Sequence, residues 1–120
     1  MAVEKTLYIS DLDETLLNKD AVLSAYTKSA LNGLISQGLH FSVATGRTTD
    51  AAIKIMAGVA LSTPIVTFNG VVIYDVKHAQ YVNICRFHAE TVKEIVDVLT
   101  SQNVSSLMYE LKDNQLVSYY

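Results

Sequence analysis

Short apolar segments separated by stretches of helical length fill the first half of this chain, and that alternation constrains the fold more than any other feature. Thr6–Ser10, Leu39–Ala44 and Pro64–Phe68 read as strands. Between the first two, the segment from Ser24 to Gln37 places Ala25, Leu31, Leu34 and Ile35 at helical spacing, with Ser24 as a plausible N-cap and Gly38 just past the end. A second helix is expected from about Asp50 to Ala60, with Ile53, Met56 and Ala57 facing inward and Ile55 and Val59 widening the apolar surface. Strands that alternate with helices pair in parallel through right-handed crossovers. The expected fold class is therefore α/β, with a Rossmann-like parallel sheet whose strands all leave at one edge. Ligands of open α/β sheets bind beyond that edge.

The first strand runs directly into Asp11-Leu12-Asp13-Glu14-Thr15. Residues i and i+2 of an extended chain point the same way, so both aspartates can face the cleft. Two acids this close repel unless a cation or a shared proton relieves them. The pair is thus a natural seat for Mg²⁺ and for a division of labour between nucleophile and acid/base. Asp-x-Asp by itself also occurs in ordinary turns and capping loops; the strand in front and the next motif set this one apart. The second strand ends in Thr45-Gly46-Arg47. Gly46 lets backbone amides approach an anion, the helix starting near Thr48 to Asp50 turns its positive end toward it, and Arg47 offers a permanently charged fork for phosphate.

Asp11, Asp13 and Thr45 at these strand ends resemble the first two motifs of the haloacid dehalogenase superfamily of phosphohydrolases. The resemblance implies that Asp11 attacks phosphorus to form an aspartyl phosphate. It implies that Asp13 protonates the leaving group and later activates water, and that Thr45 hydrogen-bonds the transferring phosphoryl group. Mg²⁺ would take a side-chain oxygen of Asp11 and the backbone carbonyl of Asp13.

The segment from Pro64 to Asp75 reads as a strand, a tight Asn69-Gly70 turn and a second strand. Together with the two earlier motifs it is similar to the Cof-type branch of the superfamily, whose members mostly hydrolyse sugar phosphates and other small phosphoesters. In that branch the Asn-Gly strand leads into a mobile α/β cap. Asn69 has two readings, a substrate contact or a residue that serves turn geometry. Glu14 departs from the pattern, because Cof-type members usually carry glycine there; it adds charge and bulk beside the phosphate site.

From about Val76 the pattern changes to a strand over Gln80–Phe87, a helix over His88–Gln102 with Val92, Ile95, Val96 and Leu99 at helical spacing, and a hairpin over Val104–Tyr120 turning at Lys112-Asp113-Asn114. This order resembles the beginning of the Cof-type cap, which divides the chain into residues 1–76, the N-terminal part of the core, and 77–120, the start of a truncated cap. Tyr109, Tyr119 and Tyr120 are read as strand-packing residues in preference to a substrate-facing surface. The chain ends within an apolar strand, an edge prone to pairing, so homo-oligomers through unfinished sheet edges are expected. The family's third motif, a lysine, and its fourth, an acidic cluster completing the Mg²⁺ shell, have no counterpart in these 120 residues, and the chain alone is expected to be inactive.

Composition narrows the partners. Half of the 120 residues are hydrophobic, enough for one core, and no apolar run reaches the roughly 20 residues of a membrane span. Met1 to Lys5 does not read as a signal peptide, and a cytoplasmic location is expected. A net charge of −3 without a basic cluster argues against nucleic acid and leaves a small phosphorylated metabolite as the expected partner, recognised locally. Cys85 stands alone and is expected to pack half-buried; His40, His78 and His88 form no site. Two alternatives to a phosphatase are a non-catalytic module that only binds or self-associates, and a receiver-like signalling domain. A receiver needs an aspartate after the third strand, where this chain has Thr67-Phe68-Asn69, and that reading is rejected.

Overall fold

The computed structural model describes residues 5–120, which form two compact units, one ending at Ile84 and one beginning at Cys85. The first contains β1 (Leu7–Ser10), α1 (Ala25–Ser36), β2 (His40–Val43), α2 (Thr49–Ile55), β3 (Ile65–Thr67), β4 (Val72–Asp75) and β5 (Gln80–Ile84). β1 and β2 pair in parallel, with Leu7 opposite His40 and Ser10 opposite Val43. The ladder carries on past the strand ends, where the Ala44 N–H donates to the Ser10 carbonyl at 2.9 Å and the Thr45 N–H to the Val66 carbonyl at 3.0 Å. A parallel bridge between Ala44 and Val66 joins β3 to the same layer. The α/β class and the parallel layer expected from the alternating segments are both present.

The helices are set by their caps. The Ser24 side chain accepts the Thr27 N–H at the start of α1, and Gly38, at φ +100°, lets the chain reverse after its end. Of the residues expected to face inward, Leu31 is buried and Ile35 half-buried, while Leu34 and Ala25 are exposed. α2 starts at Thr49 behind a Thr48 cap, within the stretch expected, and stops at Ile55, short of Ala60, because the chain turns back through Gly58 at φ +90°. Ala57 therefore lies outside the helix and is exposed; Met56 is buried and Ile53 half-buried as expected, and Ala52 joins them in the core. That core joins Leu12, Leu17 and Leu23 from the connection after β1 to Leu31, Phe41, Val43, Ala52, Met56 and Ile65. β1 itself stands outside it: Leu7, Tyr8 and Ile9 are each about half exposed, and β2 is the only strand paired with it among the described residues. A parallel strand this apolar is normally covered on both sides.

The Asn69-Gly70 turn is wider than the two-residue hairpin expected. Thr67 pairs with Val72, so four residues, Phe68 to Val71, make the connection. The reason is where the amides go: the Phe68 N–H donates to the Arg47 carbonyl (3.0 Å) and the Asn69 N–H to the Thr45 carbonyl (3.2 Å), so neither is available to β4. β4 then pairs antiparallel with β5, and Tyr74 and Tyr81 meet across it edge to face at 5.0 Å. The boundary expected after Val76 falls in the β4–β5 turn, within this first unit. That turn is closed by Asp75, which accepts the Lys77 and His78 amides and the His78 ring at 2.7 Å. The carboxyl is held below the usual carboxylate range, chiefly by the ring contact.

The second unit contains α3 (Ala89–Ser101), β6 (Met108–Lys112) and β7 (Gln115–Tyr119). β6 and β7 form an antiparallel hairpin closed by Asp113 and Asn114, both at positive φ, the conformation a two-residue turn between twisted strands requires. Tyr119 donates its hydroxyl to Glu110 at 2.9 Å across the hairpin, a contact that raises its pKa and ties the ring to the strands. No described residue of this unit is buried, and Ile95 and Val96 on α3 remain exposed. Cys85 is exposed too, contrary to the half-buried packing expected of it, because the unit has no core to receive it.

The loop after β1 carries one local conflict. Glu14 sits at φ +56° and ψ +11°, the left-handed conformation that glycine adopts freely and a residue with a Cβ resists. Replacing Glu14 by Gly is expected to stabilise the chain by about 0.5–1 kcal/mol, the left-handed penalty outweighing the added entropy of the unfolded glycine. Urea unfolding of the two proteins measures it; a less stable glycine variant would mean that the loop holds Glu14 by contacts that outweigh its backbone.

Candidate active site

The sheet brings two loops to one edge. Because β1 and β2 are parallel with Ser10 opposite Val43, the chain leaves β1 at Asp11 at the same level at which it leaves β2 toward Thr45. Asp11 is exposed at that edge and caps the turn that follows, its Oδ1 accepting the Leu12 N–H at 2.6 Å. Leu12 is fully buried and the Leu17 N–H closes back on its carbonyl at 2.9 Å, so the acidic residues sit on a loop anchored in the core. Asp13 is extended and exposed beside them.

Thr45 is buried, and its Oγ1 accepts the Arg47 N–H at 3.1 Å. A hydroxyl that accepts one bond keeps its own proton to donate, which is what a phosphoryl oxygen would need from it. Gly46 is exposed, and a Cβ placed there would lie 2.7 Å from the Asn69 Oδ1, so the Asn69 amide occupies the space that only glycine leaves. Asn69 itself is left-handed at φ +55°. Beneath the loops, Thr49 and Thr67 share a buried hydroxyl–hydroxyl bond at 2.9 Å that fastens the start of α2 to the end of β3.

One contact escaped the sequence reading. Arg47 makes a two-pronged bond to Asp13, Nε to Oδ2 at 2.9 Å and Nη2 to Oδ1 at 2.6 Å. The guanidinium holds the Asp13 carboxyl below the usual carboxylate range, chiefly through these hydrogen bonds, which outweigh the opposing desolvation, with its charge adding the least. The same pairing raises the pKa of Arg47. The sequence offers Arg47 as a fork for phosphate; in the structure it spans the two loops. The signal was available in the opposite charges of two loops leaving adjacent parallel strands.

The donors at this edge suit a hard cation in kind, a carboxylate at Asp11 and a backbone carbonyl at Asp13. They do not complete a shell: among the described residues no three His, Cys, Asp or Glu side chains gather to hold a metal ion. Nor is any helix of the described residues long and apolar enough to cross a membrane.

Known proteins resemble this chain in sequence and fold. The chain is 31% identical, over its whole length, to 45% of the 5-amino-6-(5-phospho-D-ribitylamino)uracil phosphatase YitU of Bacillus subtilis. It is 32% identical over 90% of its length to 36% of a second phosphatase of the same description, YwtE, from the same organism. In fold it superposes with a TM-score of 0.75 on the crystal structure of a haloacid dehalogenase-like hydrolase from Bacteroides thetaiotaomicron, at 20% identity, covering 96% of this chain and 44% of that one. The chain thus spans less than half the length of these relatives. Since the family model of the haloacid dehalogenase-like hydrolase matches residues 8–119, nearly the entire sequence, the chain belongs to that family.

Proposed function

We propose that this chain is the N-terminal part of a Cof-type, Mg²⁺-dependent phosphoester hydrolase that works through an aspartyl phosphate and takes small phosphorylated metabolites such as sugar phosphates. One observation carries the reading: the Asp11–Asp13 loop and the Thr45–Arg47 loop meet at the carboxyl edge of the parallel sheet, tied together by the Arg47–Asp13 fork. The relatives are phosphatases, and the first named acts on a phosphorylated ribityl compound, a substrate of this class. Residues 1–76 then form the first part of the core and 77–120 the beginning of the cap.

In this reading the Asp11 carboxylate attacks phosphorus and the bond from phosphorus to the ester oxygen breaks. Asp13 gives its proton to the departing oxygen, and then takes one from the water that cleaves the aspartyl phosphate, releasing inorganic phosphate and restoring Asp11. Thr45 donates its hydroxyl to a phosphoryl oxygen, and Arg47 exchanges Asp13 for the phosphoryl group as it arrives. The Asp11 carboxylate and the Asp13 carbonyl would hold Mg²⁺, whose charge would offset that of the phosphoryl oxygens.

A non-catalytic, self-associating module is the second reading, favoured by the incomplete donor set and the half-exposed Leu7, Tyr8 and Ile9 of β1. The experiment that separates the two is Mg²⁺-dependent hydrolysis of an aryl phosphate, with mass in solution, by the 120-residue chain and by the chain extended with the region its relatives carry. Turnover is expected only in the extended chain; an extended chain without turnover leaves the second reading. Association of the short chain is expected to run through β1, so Ile9→Lys, which places a charge on that edge, should shift it toward monomer. An unchanged mass would locate the association elsewhere.

A further inference from the structure

The Thr45–Arg47 loop of the site rests on a third piece of chain. Three consecutive residues, Phe68 (φ +51°), Asn69 (φ +55°) and Gly70 (φ +94°), adopt the left-handed conformation. Runs of this kind are unfavourable outside glycine and persist where surrounding structure holds them. Here they turn two successive amides toward the loop that follows β2: Phe68 N–H to the Arg47 carbonyl and Asn69 N–H to the Thr45 carbonyl. The carbonyls gripped lie immediately before and after Gly46, and the Asn69 side chain closes over Gly46 itself.

We propose that Asn69 is a positioning residue, which clamps the Thr45–Arg47 loop through its left-handed backbone and its side chain over Gly46, without touching the phosphoryl group. The role rests on the phosphoryl-binding reading of that loop. Asparagine suits it because, among non-glycine residues, it tolerates the left-handed conformation best, and its short amide fits against a residue lacking a Cβ. The side chain lies against Gly46, where a Cβ would meet its Oδ1 at 2.7 Å, so the loop is what it touches in this structure. Gly46 in turn is required twice, for access from solvent and for the amide above it.

The test compares Asn69→Gly, which keeps the left-handed backbone, with Asn69→Ala, which does not. Amide hydrogen exchange at positions 68 and 69 and the affinity for inorganic phosphate are measured in each. Exchange at both amides should quicken about tenfold in the alanine variant and about twofold or less in the glycine variant, following the left-handed preference. The Thr45 N–H, bonded to Val66, should stay protected in both. Phosphate affinity should fall with the same ranking. Equal effects of Gly and Ala on exchange would overturn the clamp, and an affinity lost equally in both with exchange unchanged would assign Asn69 to the ligand instead. A wild-type chain that shows the expected exchange pattern but binds no phosphate would support the clamp and count against the phosphoryl-binding reading. Gly46→Ala adds a reciprocal check: its Cβ would meet Asn69, so Asn69→Gly in that background should restore part of the lost loop protection, and no restoration would count against the contact.

Discussion

Asp11→Asn, in the chain extended by the region its relatives carry, is expected to reduce Mg²⁺-dependent phosphate ester hydrolysis to background and to remove any acid-stable phosphoenzyme. The amide nitrogen and oxygen of asparagine are far weaker nucleophiles than a carboxylate, and the proposed route has no other group to take the phosphoryl. The substitution is conservative in structure. The Leu12 N–H bonded to the Asp11 Oδ1 finds an equivalent acceptor in the asparagine carbonyl, and the buried Leu12 beneath it is untouched. A thermal midpoint within a few degrees of wild type, measured alongside, assigns the loss to chemistry and not to folding. Rapid quench with a radiolabelled phosphate ester reads the intermediate directly. Wild-type turnover in this variant would take the nucleophile away from Asp11.

Strand and helix identities were legible because each rests on local chemistry: the apolar runs of β1, β2 and β3, the Ser24 and Thr48 hydroxyls that cap α1 and α2, and the positive-φ residues at Gly38 and Asp113-Asn114. The carboxyl edge followed from those elements, since parallel strands must end together. Long-range commitments were not legible. The early stop of α2 depends on Gly58, which a helical pattern counts as one more residue. The wide Phe68–Val71 connection depends on carbonyls at Thr45 and Arg47 that lie more than twenty positions away in sequence. The Arg47–Asp13 fork is of the same kind: each residue was identified, but the partner of a charged side chain at a shared edge is decided by the three-dimensional distances of the loops.

Asp13→Asn is expected to cost about 10²–10⁴ in turnover, the usual worth of positioned proton transfer, and to cost it unevenly. An alkyl phosphate needs its leaving oxygen protonated, whereas a nitrophenyl phosphate departs as a stable anion, so the loss should be greater on the alkyl ester. Equal losses on both would place Asp13 outside the acid step. The fork with Arg47 sets the starting condition. A carboxyl whose folded pKa is depressed contributes stability that is present above the unfolded pKa and is lost as pH falls through the folded one. Asp13 is of this kind, with its pKa lowered from 3.8 by the Arg47 hydrogen bonds and charge. At neutral pH it is therefore a carboxylate, ready to act as base, and it can serve as acid only once Arg47 turns to the incoming phosphoryl group and lets it gain a proton. Carboxyl NMR titration of the chain should find the Asp13 midpoint below 3.8, and Arg47→Ala should raise it toward that value. Added inorganic phosphate should raise it in the wild type too, by drawing the guanidinium away. A midpoint indifferent to Arg47 would mean that the fork does not form in solution, and the exchange of partners that couples phosphate arrival to the acid step would fall with it.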